Sequence, residues 1–204
     1  MELKKLGKVA KGQDGAVFGG MLFRFDATGT CFVYKIGELS EESTPLCQFV
    51  LDKADRIAPH SNSVAFGCAR YEEKDEFPLL YSNIYNNYAK AADPLKGVTC
   101  VYRLQRQGDS FRTTLVQLIE IGFTDDPVWS SGADVRPYGN FVIDRDKNLL
   151  HVFTMRDAEH KTRYFTFRLP KRNEGELCEA WGVPVVTLGK EDILQWFDTD
   201  YHLF

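Results

Sequence analysis

The sequence predicts an all-β chain made of three four-stranded antiparallel meanders. Two observations carry that expectation. Short apolar runs, rich in β-branched and aromatic side chains, recur along the 204 residues and are separated by Gly, Asp and Asn turns. The same order also returns three times: Gly12 to Ile36, His60 to Ile84 and Tyr138 to Met155 each begin with a small or polar residue, then run apolar, turn, and run apolar again.

The first unit, about 12–51, places strands over Ala16–Gly19, Met21–Phe25, Thr30–Ile36 and Leu46–Leu51, divided by Gly19-Gly20 and by the turn Asp26-Ala27-Thr28-Gly29. The second, about 60–121, has Ser63–Ala69, the charged loop RYEEKDEFP, Leu79–Ile84, the insertion YNNYAKAADPLKG, and a hairpin of Val98–Gln105 and Phe111–Ile121 across Gly108. The third, about 138–188, has Phe141–Ile143, Leu149–Met155 and Arg163–Leu169, with Val183–Leu188 (VPVVTL) as its fourth strand. Gly189–Phe197 puts Ile193, Trp196 and Phe197 at helical spacing and is expected to form a turn or two of helix. The final TDYHLF reads as the start of a further strand.

Length and composition fit one domain, 1–204, with a packed core: hydrophobic residues are 44% and charged residues 26%. A net charge of −4 gives no general attraction to phosphate backbones, so nucleic acid is not an expected partner. No apolar run has the roughly 20 residues of a membrane helix, and the lysine-bearing N-terminus lacks the apolar core of a secretory signal. A cytoplasmic location is expected, and no membrane association. Five cysteines without close spacing suggest free, mostly buried thiols rather than a disulfide framework or zinc site.

Twelve strands in successive meanders suit blades of a β-propeller better than a sandwich, which needs Greek-key crossovers. The openings QDGAVFG, SNSVAFG and YGNFVID resemble one another, and the chain resembles part of a six-bladed β-propeller with long blades. It lacks the Trp-Asp dipeptide of WD repeats and the Ser-x-Asp-x-Gly-x-Thr-Trp box of sialidase-like repeats, and the paired glycines that recur in kelch repeats occur once, at Gly19-Gly20. Three blades make an incomplete ring with two uncovered flanks. The resemblance therefore implies completion by a homodimer or by the remainder of a longer chain.

In a propeller the residues before each innermost strand converge on one channel mouth. Asp14, His60, Asn62, Arg136 and Tyr138 occupy those positions and could hold a small polar, polyhydroxylated or anionic ligand through directed hydrogen bonds. The alternative is that they satisfy local backbone groups at the turns. The leading expectation is a non-catalytic module that binds a small polar ligand or a protein partner at the channel mouth. The alternative is a carbohydrate-active hydrolase or lyase in which His60, Asp125, Asp126 and Asp134 supply acid and base. Asp144, Asp146 and Asn148 have the opening spacing of a calcium loop, yet Leu149 and Met155 replace its glycine and glutamate, so a hairpin turn is expected. No serine elbow, phosphate loop, zinc-protease or dinucleotide motif occurs, and no cofactor or metal is implied.

Overall fold

The structure, a computed structural model, describes residues 4–57, 59–84, 98–122, 136–155 and 162–199. Among them the all-β expectation holds: three sheets account for the strands.

The first sheet is a meander of β1 (Asp14–Phe18), β2 (Met21–Phe25), β3 (Thr30–Lys35) and β4 (Cys47–Val50). Phe18 pairs with Met21, leaving Gly19-Gly20 as a two-residue loop, and both glycines have positive φ, 56° and 75°. Such a loop matches the strand twist only in that backbone region, which glycine enters without Cβ strain. At the next turn Asp26 Oδ1 accepts from the Thr28 and Thr30 N–H groups at 2.8 and 2.9 Å.

A short helix, α1 (Ala54–Ile57), leads to the second sheet: β5 (His60–Phe66), β6 (Leu80–Ile84), β7 (Val98–Gln107) and β8 (Ser110–Ile121). The third contains β9 (Arg136–Asp144), β10 (Leu149–Met155) and β11 (Thr162–Arg168). In the turn between β9 and β10, Asp144 Oδ1 accepts from the Asp146 and Lys147 N–H groups, each at 3.0 Å, so this carboxylate closes a hairpin turn.

Beyond β11 the structure departs from the expected order. After β12 (Glu176–Cys178), β13 (Val183–Leu188) joins the second sheet, lying parallel to β8 with Val185 opposite Leu118 and Leu188 opposite Ile121. The second sheet thus has six strands, ordered β12-β13-β8-β7-β6-β5. Val183 packs into one core and Leu188 into the other, and a strand apolar on both sides belongs inside a stack rather than at its margin. The fourth strand of the third sheet is instead β14 (Gln195–Thr199), antiparallel to β11. The expected helix over Gly189–Phe197 is therefore a 3-10 turn at Lys190–Asp192 followed by this strand. Asp192 Oδ2 accepts from Gly189 N–H at 2.8 Å within the 3-10 turn, and the Phe197 ring stacks on Tyr164 at 4.7 Å, a cross-strand contact that outweighs the local helical spacing.

The first and third sheets pack on opposite faces of the second. Phe23, Phe25 and Phe49 meet Phe66, Phe77 and Phe111 in one core, while Tyr81, Val101 and Ile119 meet Leu150, Val152, Phe165 and Phe167 in the other. Both faces of the second sheet are thus covered, which explains why all five residues of β6 are buried. The edge strands β1, β5 and β9 lie side by side, β5 touching both neighbours.

The outer flanks differ. Over the first sheet, Lys8 N–H donates to Ser40 O at 2.8 Å and Ala10 N–H to Tyr34 Oη at 2.9 Å. That N-terminal segment leaves the outward-facing Tyr34 only 2% exposed. Over the third sheet, Phe153, Tyr164 and Phe197 form an aromatic row beside an exposed Val142, and Phe197 is 53% exposed.

The charged loop after β5 is anchored, not loose. Arg103 on β7 pairs with Asp75 at 2.6 Å and Glu72 at 3.1 Å, and Tyr71 sits between the guanidinium groups of Arg103 and Arg172, 4.8 and 5.1 Å from its ring. The same loop inserts Phe77 into the first core, edge-on to Phe23 at 5.7 Å.

Two measurements test this packing. Phe23 is fully buried against Phe66, Phe77 and Phe111, so Phe23→Ala should cost about 3–5 kcal/mol in urea unfolding. For Asp75, burial raises the carboxyl pKa, but the Arg103 hydrogen bond and the Glu72 N–H outweigh it, and the net direction is downward. A folded pKa below the unfolded one stabilises the protein above the unfolded value, and that contribution disappears as pH falls through the folded value. Stability should drop below about pH 4, and Asp75→Asn, less stable at neutral pH, should show a shallower drop.

Candidate functional site

Polar side chains are concentrated where β1, β5 and β9 meet. The cause is a bulge in β5. His60 pairs with Ile84 and Val64 with Ser82, so Ser61, Asn62 and Ser63 face the single residue Asn83. His60 and Ser61 take positive φ, 56° and 34°, a left-handed conformation that costs non-glycine residues about 1–2 kcal/mol each. Two consecutive residues of that kind persist only where their surroundings hold them, and such places are often functional.

The holding groups are visible. A bulge interrupts the backbone ladder, and Asn83 fills the gap: its Oδ1 accepts from Ser63 N–H at 2.8 Å while its Nδ2 donates to Asn140 Oδ1, also at 2.8 Å. Ser82 Oγ donates to Ser61 Oγ at 3.0 Å, with both residues fully buried. Ser63 Oγ donates to Asn140 Oδ1 and receives the Phe141 N–H, both at 3.4 Å. From the other side Asp14 Oδ2 accepts the Val64 N–H at 2.7 Å. One strand from each sheet is thereby tied to the bulge. Asn62 Oδ1 is buried without a hydrogen-bond partner. A buried acceptor left unpaired costs about 1–3 kcal/mol, and a bound donor would recover it.

Of the residues singled out from sequence, Asp14, His60 and Asn62 come together at this junction. Arg136 and Tyr138 lie on β9 by their backbone, with Arg136 opposite Met155, and their side chains fall outside the described part. Asp125, Asp126 and Asp134 lie outside the described residues, as does the insertion YNNYAKAADPLKG. His151 Nδ1 lies 3.0 Å from Thr166 Oγ1, across β10 and β11.

Sequence reasoning missed Ser61, Ser63, Ser82, Asn83 and Asn140. Their signal was present: SNS in β5, SN in the otherwise apolar LYSNI and the asparagine of YGNF are polar residues inside strands. Among the described residues no group of three or more His, Cys, Asp or Glu is placed to hold a metal ion, and all five cysteines are free thiols. No helix in that part is long and apolar enough to cross a membrane.

Fold and site together define an all-β protein of three layered sheets with a buried amide and hydroxyl cluster at their common edge. No protein-family model, curated protein or solved structure matches the chain.

Asn83 tests whether the cluster is a unit. Asn83→Ala strands Ser63 N–H and removes a donor to Asn140, so it should destabilise by about 2–3 kcal/mol. Ser82→Ala, losing one hydroxyl bond, should cost about 1 kcal/mol in the same urea titration.

Proposed function

We propose that the protein is a non-catalytic binding module of β-propeller type that takes a small polyhydroxylated ligand at the edge where its three sheets meet. The unpaired Asn62 Oδ1, buried beside two strained residues, carries the reading. A neutral hydroxyl donor suits it, since the neighbouring cluster consists mainly of uncharged amides and hydroxyls.

The propeller reading draws support from the adjacency of β1, β5 and β9, each the edge strand of its sheet, and from face-to-face packing of successive sheets through separate cores. The parallel strand β13 makes the middle blade broader than a simple four-stranded one. Completion of a ring, by a second copy or by further chain, would bring sheets onto both outer flanks. The third sheet presents Val142 and the aromatic row there, whereas the first carries its N-terminal segment.

Binding is favoured over carbohydrate chemistry because, among the described residues, the junction is built mainly from amides and hydroxyls, and its carboxylate, Asp14, is engaged by Val64 N–H. Glycoside cleavage needs two carboxyl groups about 5–10 Å apart.

A thermal-shift panel of neutral mono- and disaccharides tests the proposal. A sugar at a hundred times its Kd should add about 2.7 kcal/mol, a rise of roughly 5–10 °C for a chain of this size. Asn62→Ala should abolish the response. Absence of any saturable shift, or an equal shift in the variant, overturns the reading.

A further inference from the structure

A second site lies at the far margin of the middle sheet. Directly paired residues on neighbouring strands point to the same face. The register places Val98, Glu120 and Thr187 in one row, and Cys100, Leu118, Val185 and Glu176 in the next. Leu118 and Cys100 belong to the core shared with the first sheet, which fixes the face. No strand of the first sheet lines this end, and a cavity of about 680 Å³ remains over Leu118 and Val185, bounded by Val98, Cys178 and Trp181. That volume falls within the usual range for small-molecule sites.

The charge at its margin is one-sided. Glu120 and Glu176 both line the cavity, and its described lining contains no Lys or Arg. They are two strands apart and two residues out of step, which at ordinary sheet spacings separates their Cβ atoms by about 12 Å across the apolar floor. Thr187 Oγ1 donates to Glu120 Oε2 at 3.4 Å, which helps orient that carboxylate. The Trp181 wall is held by two cations: Arg56 lies 4.0 Å over the Trp181 ring and bonds Ala180 O at 3.0 Å, and Lys53 Nζ donates to Trp181 O.

We propose that this cavity binds a linear aliphatic diamine with one amine at each end, an ammonium group on each of Glu120 and Glu176 and the methylene chain over Leu118 and Val185. Either feature alone would say little. An apolar floor accepts any hydrocarbon and two carboxylates attract any cation, but their arrangement asks for a chain that is apolar in the middle and cationic at both ends. Much of the affinity comes from the methylenes, while the partly exposed carboxylates mainly select the ligand.

Isothermal titration with diaminooctane, which carries one ammonium at each end of an all-methylene chain, and with octanediol as its neutral counterpart, tests the site. The diamine should bind saturably with a Kd of about 0.1–1 mM, and octanediol much more weakly. Glu120→Gln and Glu176→Gln should each weaken diamine binding about fivefold, and the double variant about twenty-five-fold, without loss of fold by circular dichroism. Methyl resonances of Val98, Leu118 and Val185 should shift on titration. Absence of saturable binding, equal binding of octanediol, unchanged affinity in the double variant, or shifts confined to other methyl groups would each overturn the proposal.

Discussion

The structure depends on the middle sheet being apolar on both faces. Along β6, β7 and β8 neighbouring residues are claimed by different cores: Leu80, Tyr102 and Leu118 by one, Tyr81, Val101 and Ile119 by the other. A sheet of that kind cannot leave either face in water, so it requires a sheet on each side. The aromatic cluster around Phe23 and the row of Leu150, Val152 and Phe165 meet that requirement. The parallel docking of β13 serves the same need by lengthening the sheet along β8 and placing Val183 and Leu188 in opposite cores.

Stacking three sheets in this way brings three edge strands together, and an edge strand carries unpaired backbone groups. Here they are satisfied by side chains. Asp14 takes the Val64 N–H, Asn83 takes that of Ser63, and Ser63 Oγ takes that of Phe141. The bulge at His60 to Ser63 is tolerated because these bonds compensate the ladder it breaks, and the resulting buried polar cluster is rigid and specific in geometry. The leftover acceptor at Asn62 is the feature on which the proposal of a ligand at this junction rests.

Much of this was legible in the chain. The Gly19-Gly20 and Gly108 turns, the opening hairpins of each unit and the all-β class follow from local pattern, because turn chemistry and period-two alternation act over a few residues. Asp14, His60 and Asn62 were placed at one locus because similar polar openings precede three successive apolar runs. Asn83 and Asn140 were not found, since an asparagine inside a strand looks locally like any polar interruption. Its role as a substitute ladder partner exists only once the bulge sits opposite it.

The failures have a common origin. VPVVTL reads as the next strand in order, and GKEDILQWF has helical spacing, yet the first crosses to the middle sheet and the second becomes the closing strand of the third. Sequence by itself determined that the chain is all-β, where its hairpins turn and which residues open each unit, because those properties rest on dihedral preference and short-range periodicity. Tertiary structure alone decided which sheet β13 and β14 join, that the N-terminal segment covers one flank, and that Glu120 and Glu176 fall on the same sheet face as Leu118 and Val185. Those outcomes depend on contacts between residues far apart in the chain, whose energies no local window contains.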